Sequence, residues 1–178
     1  MKDEKKLNQI ILAGIFLSLS SLLILIQIPI FSFLKLDFSL VIILIAESYL
    51  SFSLSLFIGF FSPVVILIAY GDPIGMLFLM LLNIIVILFH HLFYSSKNKK
   101  NLFISSIIII LVTSVVVSFI NIFIFVPLFY GFSYINDFLS MWLYWLLILS
   151  FNIGKLLLIY FIIGFYFYYL FEKNKNVI

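Results

Sequence analysis

The chain has 178 residues, of which 66% are hydrophobic and only 10% are charged, with a formal net charge of +3. Much of any folded surface faces the solvent, so this composition excludes a soluble globular domain and predicts an all-α integral membrane protein. The chain has no cysteine, which excludes disulfides and thiolate metal sites, and its positive charge reflects membrane topology rather than a nucleic-acid partner. No long polar linker interrupts the sequence, so residues 1–178 are predicted to form a single domain.

The first predicted element is an apolar helix over Leu7–Ile28, which follows a charged N-terminus. A secretory signal is the competing interpretation. The apolar run is longer than the core of a typical signal, and no small-x-small cleavage site follows it. We therefore interpret it as a membrane helix that is retained.

One side of this first helix carries small residues, among them Ala13, Gly14 and Ser18. Gly14 and Ser18 have the four-residue spacing that lets two membrane helices approach closely. The spacing is equally compatible with packing inside the bundle and with contact to a partner protein.

The second apolar segment, Phe38–Tyr70, is too long for one membrane span. As one helix it would reach roughly 50 Å, whereas the hydrocarbon core is about 30 Å thick. Serines at positions 48, 51, 53 and 55 mark a turn in its middle. The segment is therefore predicted to form two short helices, near 38–50 and 54–70.

Three further apolar segments, Ile74–Phe93, Leu102–Val126 and Ser140–Phe171, bring the prediction to six transmembrane helices. With six spans and both termini in the cytoplasm, most of the ten lysines lie on the cytoplasmic side, as the positive-inside tendency requires. These cytoplasmic lysines are Lys2, Lys5, Lys6, Lys97, Lys99, Lys100, Lys173 and Lys175. Only two lysines, Lys35 at the outer side and Lys155 within helix 6, need another explanation.

Lys155 is the foremost candidate for a binding residue, because a charge inside a membrane helix costs about 2.5–3.5 kcal/mol. Asn152 lies three residues earlier and therefore on the same helix face. The alternative is a structural lysine that pairs with Glu47 or Asp37 and holds the bundle together.

Asn121, near the outer end of helix 5, and Asp37, at the outer mouth, are predicted to face the same outward-facing cavity as Asn152 and Lys155. Asp37 has a simpler possible role as a cap of helix 2. Aromatic residues that the sequence places near this cavity are Phe31, Phe38, Phe129, Tyr130, Trp142 and Trp145. The set suits a planar, hydrogen-bonding small molecule with an apolar face, although tryptophan and tyrosine also belong to the interfacial belt of membrane proteins.

The remaining polar residues indicate no chemistry of their own. Glu47 and Asn83 are equally compatible with helix–helix contacts and with ligand contacts. His90 and His91 lack further ligands nearby, so no metal site is predicted. No nucleotide-binding glycine loop or catalytic motif is present in the sequence. We therefore predict that the protein is not an enzyme and binds no cofactor. If the protein powers transport, its ATPase is another chain.

Three motifs resemble the substrate-binding S components of energy-coupling-factor (ECF) transporters, and most closely the riboflavin-specific members. They are Lys35–Ser39 (Lys-Leu-Asp-Phe-Ser), Asn121 followed by Val126–Phe129, and Phe151-Asn152 with Lys155. Their order, spacing and predicted depth fit this family over nearly the whole chain.

The resemblance implies a multi-pass protein of the bacterial cell membrane that binds a vitamin from outside. It also implies a complex with a membrane scaffold (T) subunit and two cytoplasmic ATPase subunits. Small residues of helix 1, here Ala13, Gly14 and Ser18, would contact the scaffold. The residues that match the flavin site of the riboflavin members are Leu36, Asp37, Asn121, Asn152 and Lys155.

The sequence departs from the riboflavin members at the start of helix 4, where those proteins usually carry Gly-Glu-Leu-Ala-Asn. Here Gly75 is followed by Met-Leu-Phe-Leu. Riboflavin is therefore the first expectation, and another water-soluble vitamin or precursor is the second. A non-transporting membrane scaffold, in which buried polar residues only organise helix packing, is the alternative from a different class.

Overall fold

The structure, a computed structural model, describes residues 2–30, 34–93, 99–130 and 138–175. This part of the chain is a helical bundle with one two-stranded hairpin. The helices are α1 (Lys2–Leu25), α2 (Ser39–Tyr49), α3 (Phe52–Phe61), α4 (Val64–Tyr70), α5 (Pro73–Phe93), α6 (Lys99–Ile120), a π-helical turn (Asn121–Phe125), α7 (Val126–Tyr130) and α8 (Phe138–Lys175). The strands are β1 (Ile28–Pro29) and β2 (Lys35–Leu36), which pair antiparallel.

Five helical segments are long and apolar enough to cross a membrane, and α2 is a shorter apolar helix. The predicted all-α membrane fold is therefore confirmed for the described ranges, whereas the count of six crossings and the cytoplasmic termini stay predictions. The five segments are Lys6–Leu25, Phe52–Tyr70, Pro73–Phe93, Phe103–Phe129 and Met141–Tyr166.

The predicted break in the second apolar segment lies at Leu50 and Ser51, both in extended conformation, between α2 and α3. A second interruption, between α3 and α4, falls at Ser62-Pro63. Proline has no amide hydrogen to donate to the preceding turn, so an unbroken α-helix is disfavoured there. This kink was not predicted from the sequence.

The short helix α2 lies at the centre of the bundle and packs against α1, α3, α5 and α8. Leu40, Ile43, Leu44 and Ala46 are completely buried on different sides of it. A helix that is apolar over most of its length, as α2 is before Glu47, belongs in such a central position. Its eleven residues rise only about 16 Å, and its first residues, Ser39 and Leu40, are already completely buried.

The helices α3 and α5 approach closely at Gly59. The Asn83 side-chain nitrogen donates to the Gly59 carbonyl at 3.1 Å, and a β-carbon at Gly59 would lie 2.5 Å from the Ile87 Cδ1 atom. Of the two roles considered for Asn83, the geometry is that of a helix–helix contact.

Glu47 lies at the end of α2 that is remote from the hairpin, where it joins α2 to α5. Its carboxylate oxygens are 2.8 Å from the His90 Nδ1 atom and 3.3 Å from the His91 Nδ1 atom. Glu47 is therefore not the partner of Lys155. No group of three or more metal-ligating side chains occurs in the described ranges.

Candidate functional site

A cavity of about 200 Å³ lies at the end of the bundle that carries the β1–β2 hairpin, which we call the hairpin end. Residues from the hairpin segment, α4, α5, the π-helical turn, α7 and α8 line it. Its polar lining residues are Gln27, Lys35, Asp37, Asp72, Asn121 and Lys155. Its apolar and small lining residues are Leu34, Ile66, Gly75, Phe78, Leu79, Phe129 and Phe151.

A buried ion pair forms part of the cavity wall. The Lys155 Nζ atom lies 2.6 Å from the Asp37 Oδ2 atom, and each side chain is only 3% exposed. The other carboxylate oxygen of Asp37 accepts from the backbone amide of Ser39, at 3.2 Å, and from its hydroxyl. Lys155 therefore pairs with Asp37, one of the two structural partners considered from the sequence, and also faces the cavity, where its role in binding stays a prediction.

Asn121 faces the same cavity from the first position of the π-helical turn. Its side-chain nitrogen is buried and has no hydrogen-bond partner among the described residues. A π-turn inserts an extra residue into a helix and often accompanies a functional site. Asn121 was predicted from the sequence as a cavity residue, but the π-turn that positions it was not.

Two of the predicted binding residues do not line the cavity. The side-chain nitrogen of Asn152 donates instead to the Ser118 hydroxyl of α6, at 3.0 Å. Leu36 lies in β2, half-buried, and pairs with Ile28 of β1. The structure thus brings Asp37, Asn121 and Lys155 together and leaves Leu36 and Asn152 beside the site.

The aromatic wall differs from the predicted one. Phe129 lines the cavity as expected, but Phe38 does not, and Trp142 and Trp145 pack against each other with ring centroids 5.6 Å apart. Phe31 and the side chain of Tyr130 lie outside the described part of the chain. Phe78 and Phe151 also contribute rings.

The spacing of Phe78 and Leu79 could have identified them as cavity residues. They lie three and four residues after Gly75 and so share its helix face, and Gly75 also lines the cavity.

A second ion pair lies at the mouth of the cavity. The Lys35 Nζ atom is 3.9 Å from the Asp72 Oδ2 atom, with side chains 39% and 26% exposed, and 5.9 Å from the centre of the Tyr70 ring. The other oxygen of Asp72 accepts the Gly75 amide at 2.8 Å and caps α5. The outer lysine left unexplained by the sequence therefore has a partner.

Comparison with known proteins assigns the family. Residues 8–165 match the sequence family described as the substrate-specific component of ECF transporters. The chain belongs to this family. A search of curated protein sequences found no match. The solved structure of the S component of a bacterial ECF transporter has the same fold, with a TM-score of 0.71 and 22% identity over 97% of this chain and 98% of that chain.

Membership of this family excludes the alternative of a non-transporting scaffold. Its members are transporter components rather than a class of enzyme, which is consistent with a sequence that contains no catalytic motif.

The small residues of α1 in this S component divide between two environments. Gly14 and Ser18 are exposed on the surface of the bundle, and a β-carbon added at Gly14 would meet no atom within 4 Å. Ala13 is only 6% exposed and packs in a core cluster with Ile43 and Ala46. Successive residues of a helix point about 100° apart, so Ala13 faces the core while Gly14 faces outward. Of the predicted contact residues, Gly14 and Ser18 are therefore the ones that a partner protein could reach.

Proposed function

We propose that this S component captures riboflavin from outside the cell for ATP-driven uptake with a scaffold subunit and two ATPase subunits. The observation that supports this proposal is the meeting of Asp37, Lys155 and the unpartnered amide of Asn121 in one cavity with aromatic walls. Such a cavity, mostly apolar with a few convergent polar groups, is typical of a small-molecule site.

The polar groups favour a ligand whose edge alternates acceptor, donor and acceptor. A lysine ammonium has three donors, and the Asp37 contact uses one of those of Lys155. Asn121 supplies further donors, and the Asp37 carboxylate has spare acceptor capacity. The imide edge of a flavin ring carries this alternation, while Phe78, Phe129 and Phe151 offer apolar contact to its faces.

A second candidate, another water-soluble vitamin or precursor, is favoured by the α5 wall of the cavity. Phe78 and Leu79 line it, at the helix start where the riboflavin members usually carry Gly-Glu-Leu-Ala-Asn. An apolar wall there offers no partner for a polyhydroxylated chain. A ligand with a similar ring edge and a shorter or less polar substituent would fit this wall.

The proposed orientation has six crossings, both termini in the cytoplasm and the cavity open to the outside. The lysine distribution supports it. The crossing that is not among the five long helical segments is the second in chain order. It consists of α2 together with the segment from β2 to α2, because Leu34 and Asp37 are already buried before α2 begins.

Titration of flavin fluorescence against purified variants tests the proposal. Lys155→Met should lower riboflavin affinity by roughly 1.5–3 kcal/mol, the range for a hydrogen bond to a charged group. Asn121→Leu should lower it less, since it removes neutral donors. Asn152→Leu is the matched control, because Asn152 is as buried as Asn121 but donates to Ser118 and does not line the cavity. Its effect on riboflavin affinity should be smaller than that of Lys155→Met.

Ligand-free thermal melts of each variant separate loss of binding from loss of folding. Unchanged affinity in folded Lys155→Met would remove Lys155 from the site. Failure of the wild type to bind riboflavin would reject that ligand, and mass spectrometry of co-purified small molecules would then identify the alternative.

A further inference from the structure

We propose that the cavity selects uncharged ligands, and that Asp72 is a specificity-determining residue because it neutralises Lys35 at the mouth. The inference rests on the proposed function only in taking this cavity as the place where the transported ligand binds. It concerns the charge of the ligand, whichever ring the ligand carries.

The charged residues that line the cavity balance in number and in position. Lys155 pairs with Asp37 in its wall, and Lys35 pairs with Asp72 at its mouth. No other lining residue among those described carries a formal charge. A ligand that enters therefore meets two neutralised pairs and no single uncompensated charge.

The buried pair disfavours an ionic ligand at its own position. An anion that paired with Lys155 would have to displace Asp37, and a cation that paired with Asp37 would have to displace Lys155. Either exchange would leave one buried charge without its partner, which is strongly unfavourable. A neutral ligand avoids this penalty, because it can bond to the spare donors of Lys155 and the spare acceptor of Asp37 while the pair stays intact.

The Lys35–Asp72 pair at the mouth determines how strongly a charged substituent that projects from the cavity is attracted or repelled. Lys35 is the cation that an anionic tail would meet there, and it is exposed enough to be reached. Asp72 lies beside it with the opposite charge, so a phosphate approaching Lys35 also approaches a carboxylate. Attraction and repulsion then largely cancel, so nothing compensates the hydration that the phosphate loses when it reaches the mouth, and the neutral ligand is preferred.

Asp72→Asn separates the charge of Asp72 from its structural role. The asparagine side-chain oxygen can still accept the Gly75 amide and cap α5, whereas the negative charge is lost. Lys35 is then uncompensated at the mouth. The variant should gain affinity for anionic ligands relative to neutral ones without losing the start of α5.

The test compares riboflavin with its 5′-phosphate, which share a ring and differ in charge. The wild type should bind riboflavin at least about tenfold more tightly, a difference of about 1.4 kcal/mol. Asp72→Asn should shift the affinity ratio toward the phosphate by about tenfold at low salt, and the shift should shrink at high salt. Adding Lys35→Met to Asp72→Asn should abolish the shift.

Equal affinity of the wild type for both flavins, or an unchanged ratio in Asp72→Asn, would overturn the inference. If neither flavin binds, the riboflavin proposal fails on its own. Thermal melts with a panel of other neutral vitamins and their phosphate esters then decide the charge selectivity. The inference is supported if neutral vitamins stabilise the wild type and Asp72→Asn shifts the stabilisation toward their phosphate esters. It is overturned if only charged compounds, or none of the compounds, stabilise the wild type.

Discussion

At the scale of single residues, the charge of Lys155 has a structural role as well as a proposed binding role. Lys155 and Asp37 are both almost completely buried and only 2.6 Å apart. A buried pair of this kind adds little net stability, because both charges are removed from water. Removal of one partner is different, since the remaining charge then has no counter-ion.

We therefore expect Lys155→Met to lower the free energy of unfolding of the ligand-free protein by about 3 kcal/mol. Asp37→Asn should have a similar effect, and the double variant should be more stable than either single variant, since it leaves no unpaired charge. Ligand-free thermal melts of the three variants measure this. Additive destabilisation in the double variant would show that the two side chains do not act as a pair.

At the scale of helices, α1 presents a surface patch of small residues, Gly14 and Ser18. The Ser18 hydroxyl donates to the Gly14 carbonyl at 2.9 Å within its own helix, so its hydrogen bond needs no second helix. A patch without bulky side chains allows a helix of another protein to approach closely. The contact with the scaffold subunit is proposed for this patch.

We expect Gly14→Leu to block assembly with the scaffold while ligand affinity stays unchanged, because only close helix approach is lost. Co-purification of the scaffold with the tagged S component measures assembly. Gly164→Leu in α8 is the matched control, since Gly164 is also exposed with no atom within 4 Å of an added β-carbon. Equal loss of assembly in both variants would disprove the specific role of the α1 patch.

At the scale of the whole molecule, the orientation in the membrane depends on whether α2 completes a crossing. If it does, the α2–α3 turn at Ser51 faces the cytoplasm and the hairpin end faces outward. Glu47 and its two histidine partners near that turn then lie at the cytoplasmic end of the bundle.

Cysteine labelling tests this orientation directly, because the chain has no cysteine of its own. In intact cells an impermeant reagent should label Ile26→Cys, next to the hairpin, and should not label Ser51→Cys. Both positions are exposed in the bundle, so both should be labelled after the membrane is permeabilised. Labelling of Ser51→Cys from outside intact cells would refute the six-crossing topology.

Local features of the sequence are enough to predict a helical membrane protein and to locate the break in its second apolar segment. Apolar length, serine clusters and charge placement are local properties, and helix formation in a bilayer depends on them directly. The break at Leu50-Ser51 shows this, since the serine cluster alone located it within a few residues. The sequence also singled out Asn121 and Lys155, because polar groups in hydrocarbon are conspicuous, together with Asp37 at the predicted outer mouth.

The partner of each polar residue, by contrast, depends on how the helices pack and could not be predicted from the sequence. Lys155 contacts Asp37, 118 positions away along the chain, and Asn152 turns to Ser118 although it shares a face with Lys155. Phe78 lines the cavity where tryptophans were expected. Helices that are apolar on nearly every side carry little amphipathic signal, so their rotations and the contacts that follow are decided by packing between helices.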